Sequence, residues 1–268
     1  MIQNFLKFFD AYSLRARTFA GVAAAIPLYG AAAILVNWGE LSTKSLVAGL
    51  VTIALIYALS DFVRDQGARV EPDIYRRMGG KPSIVMMRRG DSTFDEKTKD
   101  DYRAFLAGKV GQPAPTAAEE AADLKAADDF YERCGIWLRN STRDTKKFPI
   151  LFNELVAYGY RRNLFGTKLI AWGLDVVVTA VCIALLIQPA ARELIDAGVK
   201  QVYWVQIVVI LHFLYLALAI TRGAVERAAR KYGRELILSC EALRGTAKPR
   251  TLQKASAGKT ADKQSPTA

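Results

Sequence analysis

Two ionisable side chains stand inside apolar runs. Asp175 lies in LIAWGLDVVVTAVCIALLIQ, and His212, the single histidine, lies in VYWVQIVVILHFLYLALAI. Each run is long enough to cross a bilayer as a helix of about 20 residues. At about 1.5 Å per residue, Asp175 falls roughly 9 Å in from Leu169, and His212 falls roughly 12 Å in from Ile220 on a helix running the other way. The two therefore meet at similar depth. Ionisable groups at that depth are costly and mark a candidate functional site by default. In a structural reading, Asp175 accepts a hydrogen bond from His212, Gln206 or a neighbouring subunit and ties helices together. In a functional reading, these intramembrane polar groups line an aqueous path that favours cations, which requires an oligomer because four helices enclose no obvious pore.

The second set of residues is basic. YRRMGGKP brings Arg76, Arg77 and Lys81, MMRRG brings Arg88 and Arg89, and Arg139, Arg143, Lys146, Lys147, Arg161 and Arg162 follow before the second apolar hairpin. Guanidinium forks and ammonium point charges suit phosphate, and Gly79 and Gly80 would let backbone N–H groups approach an anion. Tyr75, Tyr102 and Tyr160 supply rings on which bases stack. The competing reading is that juxtamembrane Lys and Arg set topology and touch anionic lipid headgroups.

Catalytic and metal chemistry are not expected. The chain has no HExxH, no GxSxG with a downstream histidine, no Walker A loop and no GxGxxG. Asp128 with Asp129 and Glu119 with Glu120 are adjacent and do not face each other on a helix. One histidine excludes the usual zinc sets, and Cys134, Cys182 and Cys240 are spaced as free thiols. No cofactor is implied.

The elements that must position these residues are helices. The fold class expected is mainly α, with four transmembrane helices in two hairpins and a small, mostly helical cytoplasmic unit. Residues 1–17 read as an interfacial amphipathic helix, not a cleaved signal. Residues 18–62 form hairpin 1, with spans at about Thr18–Trp38, where Pro27 introduces a kink, and Ser45–Phe62. Residues 63–168 form the cytoplasmic domain, and 169–221 form hairpin 2. A helix over 222–243 continues the last span as a bundle or stalk between subunits. Residues 244–268 read as a disordered basic tail. The 37 Lys and Arg divide as 3 in the N-terminal lead, 20 between the hairpins and 11 after the last span, against 3 in the two short loops. The positive-inside rule then places both termini in the cytoplasm of a multi-pass membrane protein.

Within the central unit, Ser83–Met87 reads as a short strand and Asp95–Leu106 as a helix ending at Gly108. Thr116 with Glu119 makes a capping box for a helix reaching Arg139, with Ala122, Phe130, Ile136 and Trp137 on its apolar face. Pro149 opens another helix.

Two hairpins around a basic unit, with the blocks YRRMGGKPSI and LRNSTRD, KKF and YGYRRN, resemble the membrane effectors of bacterial anti-phage systems, and among them the membrane subunit of the Hailong pair. That resemblance implies an oligomeric ion channel that depolarises the cell under a nucleotide or nucleic-acid signal from a partner nucleotidyltransferase. It covers architecture and the central block, so no functional position is carried over. The expected function is an oligomeric, cation-conducting membrane channel gated through the basic domain by a nucleotide or oligonucleotide. The alternative is a non-catalytic membrane-anchored scaffold that binds anionic lipid or a protein partner.

Overall fold

The computed structural model describes residues 11–35, 44–194 and 198–245, and among them there is helix but no strand. In chain order the helices are α1 (Ala11–Ala24), α2 (Ile26–Leu35), α3 (Lys44–Arg77), α4 (Pro82–Val85), α5 (Glu96–Val110), α6 (Ala117–Ala122), α7 (Leu124–Ser141), α8 (Pro149–Ile187), α9 (Pro189–Leu194), α10 (Val199–Leu218) and α11 (Arg222–Gly245). Most of the expected surface helix and nearly all of the basic tail lie outside the described residues. The part of the lead that is described, from Ala11, runs without a break into α1.

Among the described residues two helices are long and apolar enough to cross a membrane. They are α8, with a window of mean hydropathy 2.5, and α10, with one of 1.8. A third span exists if α1 and α2, bent by 60° at Ala25, count as one. The bend has a direct cause. Pro27 lacks the N–H that would bond back to the Ala23 carbonyl, and the Ala25 N–H is left in contact with the carbonyls of Gly21, Val22 and Ala23. A π turn over Leu14–Thr18 is a second irregularity in the same helix. The run Ser45–Phe62 belongs to α3, a 34-residue helix that carries on through Pro72 to Arg77.

Five expectations change. Ser83–Met87 is not a strand. Pro82 at the first turn opens α4, because an isolated apolar run with no partner strand satisfies its backbone by turning, and Ile84, Met86 and Met87 seal the core of the 82–141 helices. The helix expected to stop at Gly108 runs on to Gly111, whose φ of 66 supplies the left-handed cap. The Thr116–Glu119 capping box is present, but Asp123 accepts from the Ala126 N–H at 3.0 Å and starts a new helix, α7. On this pair of helices Phe130 is buried, while Ala122 and Ile136 are exposed. Finally, α10 does not continue as a stalk. The chain breaks at residues 219–221, Thr221 Oγ1 accepts the Ala224 N–H at 3.2 Å, and α11 packs so that Leu236, Ile237 and Cys240 complete the core that α4 seals.

One helix connects everything. α8 places Leu151 in the core with α4 and α11, Tyr158 in the next cluster, Leu164 and Ala171 in a third against Ala20, Val63 and Leu216, and Val178, Cys182 and Leu185 in a fourth against Val202, Val205 and Val209. Its 39 residues span about 58 Å. Where α3 crosses it the backbones touch, since a methyl on Gly166 would lie 2.5 Å from the Gln66 carbonyl.

Candidate functional site

The membrane-embedded site is assembled from three helices. Asp175 on α8 and His212 on α10 meet as the depth argument expects, with His212 Nδ1 2.9 Å from Asp175 Oδ1. The other ring nitrogen, Nε2, is 2.9 Å from the Ala23 carbonyl oxygen at the bend of α1. A carbonyl only accepts, so Nε2 carries a proton and donates it. A proton must then also lie between Nδ1 and the carboxylate, whether it sits on nitrogen or oxygen. The pair is neutral as a unit, which is the form a low-dielectric site tolerates.

Asp175 and His212 are 4% and 3% exposed, so within one chain the carboxylate is sealed in a helix contact. Its second oxygen, Oδ2, is buried without a hydrogen-bond partner. Asp175 borders a cavity of about 430 Å³ between α8 and α10, lined also by Thr179, Ile183, Gln206 and Ile210. Gln206 does not reach Asp175. Its amide donates to Thr179 Oγ1 at 3.2 Å.

The π turn of α1 is served in the same way. Asn163 Nδ2 donates to the Ala16 carbonyl at 2.9 Å, two helical turns from the carbonyl that His212 takes. Both irregularities of α1 therefore have their loosened carbonyls answered by side chains of α8 and α10.

Most of the basic residues expected to hold phosphate face carboxylates. Arg88 makes a two-pronged contact with Asp128 at 2.8 and 2.7 Å. Arg89 reaches Glu96, Asp100 and the Pro115 carbonyl. Lys81 and Arg139 share Glu132, Arg76 and Arg77 share Asp73, and Arg143 bonds Asn140. Lys147 lies over the Phe148 ring, and Lys146 has no ion pair among the described residues. Gly80 gives room to Arg88 rather than to an anion, because a methyl there would stand 3.3 Å from the guanidinium. Of the three tyrosines, Tyr102 is buried, while Tyr75 and Tyr160 are half-buried with their hydroxyls engaged, that of Tyr75 donating to Glu71 and that of Tyr160 pairing with Tyr215 at 3.0 Å.

No family model, curated protein or solved structure matches this chain.

Two polar centres, the Lys99–Arg103 pair and Glu71, were not singled out by the sequence. Lys99 and Arg103, each 1% exposed, clamp the loop after α4. The Lys99 ammonium donates to the carbonyls of Arg88, Arg89 and Asp91, and the Arg103 guanidinium donates to that of Met87. Their four-residue spacing on α5 was the available signal. The second group centres on Glu71 of α3. Its Oε1 accepts from Tyr158 at 2.7 Å, Arg162 at 2.7 Å and Tyr75 at 3.1 Å, locking α3 to α8. Burial opposes ionisation of this carboxyl, but the Tyr158 hydroxyl and the Arg162 guanidinium prevail and hold it below its ordinary value. Among the described residues no cluster of His, Cys, Asp and Glu is arranged to hold a metal ion.

Proposed function

We propose that this chain is a non-catalytic membrane module that couples a helical cytoplasmic domain to a small bundle in the bilayer, so that a partner acting on the domain moves the membrane hairpin. The observation that carries this reading is α8, one unbroken helix that contributes side chains to all four apolar clusters. A displacement of Leu151 cannot be absorbed at a loop before it reaches Val178. In this reading the chain sits in a bacterial inner membrane with both termini cytoplasmic, following its Lys and Arg distribution, and the 45–62 part of α3 is a further span that completes hairpin 1. A nucleotide signal has little to hold here, because most of the cations expected to take it are already matched with carboxylates.

Hydrogen exchange of the full chain in lipid nanodiscs tests the coupling. Leu151→Ala is expected to lower amide protection both in the cytoplasmic helices and in the 170–187 part of α8. Loss confined to the cytoplasmic helices would mean that the two parts open independently and would end this reading.

A second reading, ion conduction by an oligomer, is favoured by the unpartnered Asp175 Oδ2 beside a cavity open between α8 and α10. It predicts cation flux from reconstituted protein, and an absence of flux at every protein-to-lipid ratio removes it.

A further inference from the structure

The geometry points to a binding site for the phosphate of an anionic phospholipid headgroup, set where α8 and α11 part at the cytoplasmic end of the bundle. This goes beyond the coupling role, which stands whether the groove is filled or empty. The groove, about 450 Å³, takes Arg161 from α8 and Arg227 and Lys231 from α11. None of the three forms an ion pair among the described residues, in contrast to Arg88, Arg89, Arg139 and Arg162. Arg161 reaches only the Ala157 carbonyl of its own helix, at 3.4 Å. Glu154 is the one carboxylate in the lining, so the groove carries a net positive charge.

Neighbouring cations at this level are already committed. Lys168 donates to the Ile220 carbonyl at 2.9 Å, and Arg222 pairs with Asp73. The Arg227 side chain folds back towards the start of α11, since a methyl on Gly223 would stand 3.4 Å from its Nη1. That direction is towards the membrane.

The other wall identifies the source of the phosphate. Leu218, the last residue of α10, and Ala219 line the same groove, and Leu218 is 77% exposed at the end of an apolar run. A soluble phosphate has no use for an apolar wall. A phospholipid does, because its acyl chains descend beside α10 while its phosphate stays level with the cations.

The test is retention of lipid by the full chain in detergent, read by native mass spectrometry with dioleoyl phosphatidylglycerol and, separately, dioleoyl phosphatidylcholine. The wild-type chain is expected to retain the first in preference to the second. Replacing all three cations, Arg161→Gln with Arg227→Gln and Lys231→Gln, is expected to weaken phosphatidylglycerol retention about a hundredfold, from about fivefold per cation near the surface. Arg76→Gln with Arg77→Gln, which removes charge from the same side of the membrane, is expected to leave it within about twofold. Equal retention by the triple variant, or an equal loss in the control pair, overturns the site. If the triple variant does not fold, the single variants are read instead, and three unchanged singles overturn it equally. Millimolar inorganic phosphate or glycerol phosphate separates the sources: failure to displace the lipid supports a lipid site, and displacement with no preference for phosphatidylglycerol overturns it in favour of a soluble ligand.

Discussion

His212 Nε2 lies 2.9 Å from the Ala23 carbonyl oxygen and stands in for the amide hydrogen that Pro27 lacks. The proline that bends α1 and the histidine on α10 are thus two halves of one arrangement, although 185 positions separate them in the chain. Asp175 completes it by holding the ring's other nitrogen.

The histidine and the proline should therefore be energetically coupled. His212→Ala strands both the Ala23 carbonyl and the Asp175 carboxylate in a dry site and is expected to destabilise the fold by about 3 kcal/mol or more. Pro27→Ala restores an amide to Ala23, so in the His212→Ala background it should recover about 1 kcal/mol, whereas alone it should gain little. Unfolding in mixed micelles for the four members of this double-mutant cycle measures the difference. Strict additivity would mean that the ring does not answer the bend.

The crossing of α3 and α8 makes an equally sharp prediction. A methyl at Gly166 meets the Gln66 carbonyl carbon and oxygen at 2.5 Å, and one at Gly67 meets the Asn163 backbone at 2.9 Å. Backbone cannot swing aside as a side chain can, so Gly166→Ala is expected to cost about 3 kcal/mol. Gly108 has nothing within 4 Å of the added methyl and sits inside α5, so Gly108→Ala should stabilise by about 0.5 to 1 kcal/mol. Thermal midpoints of the two variants should move in opposite directions.

What the sequence revealed and what it hid divide along a physical line. Local signals were readable: the Thr116–Glu119 capping box, Pro149 at a helix start, the apolar runs, and the matched depth of Asp175 and His212, which follows from a simple rise per residue. Pairings between distant segments were not. Arg88 reads as a free cation until Asp128, 40 residues on, is brought against it, and the same holds for Arg162 and Glu71 across 91. Composition reports how many charges a chain has but not which of them neutralise one another. The short α4 was misread for a related reason: β-branched and apolar residues favour a strand only when another strand is there to pair. Lys99 and Arg103 were overlooked because long basic side chains are ordinarily solvent-facing, and only the folded chain supplies the carbonyl cage that accepts them.

Glu71 gives the domain an acid-sensitive lock. Its folded carboxyl titrates below the ordinary value of 4.5, so the stability it contributes is complete above that value and is lost as pH falls through the folded value. Glu71→Gln removes the charge at every pH. The variant should be less stable than the wild type at neutral pH, and the gap should narrow as the pH is taken below 4.5. Thermal unfolding across that range checks the sign, and a gap that widens in acid would refute it.

The carboxylate of Asp175 decides between coupling alone and conduction. Asparagine in its place donates from its amide to Nδ1 of a neutral imidazole, while Nε2 still donates to Ala23, so the geometry survives without the shared proton. Asp175→Asn should therefore fold, with a cost well below that of His212→Ala. Stability alone does not separate the two functional readings, but flux does. If several copies gather so that the unpartnered Oδ2 meets passing ions, the isosteric replacement of the carboxyl group by an amide should lower cation flux into liposomes at equal protein content. Equal, measurable flux from both chains would put the ion path elsewhere. No flux from either, with the wild-type hydrogen-exchange coupling intact, would leave Asp175 as the residue that keeps the His212 ring turned towards the bend.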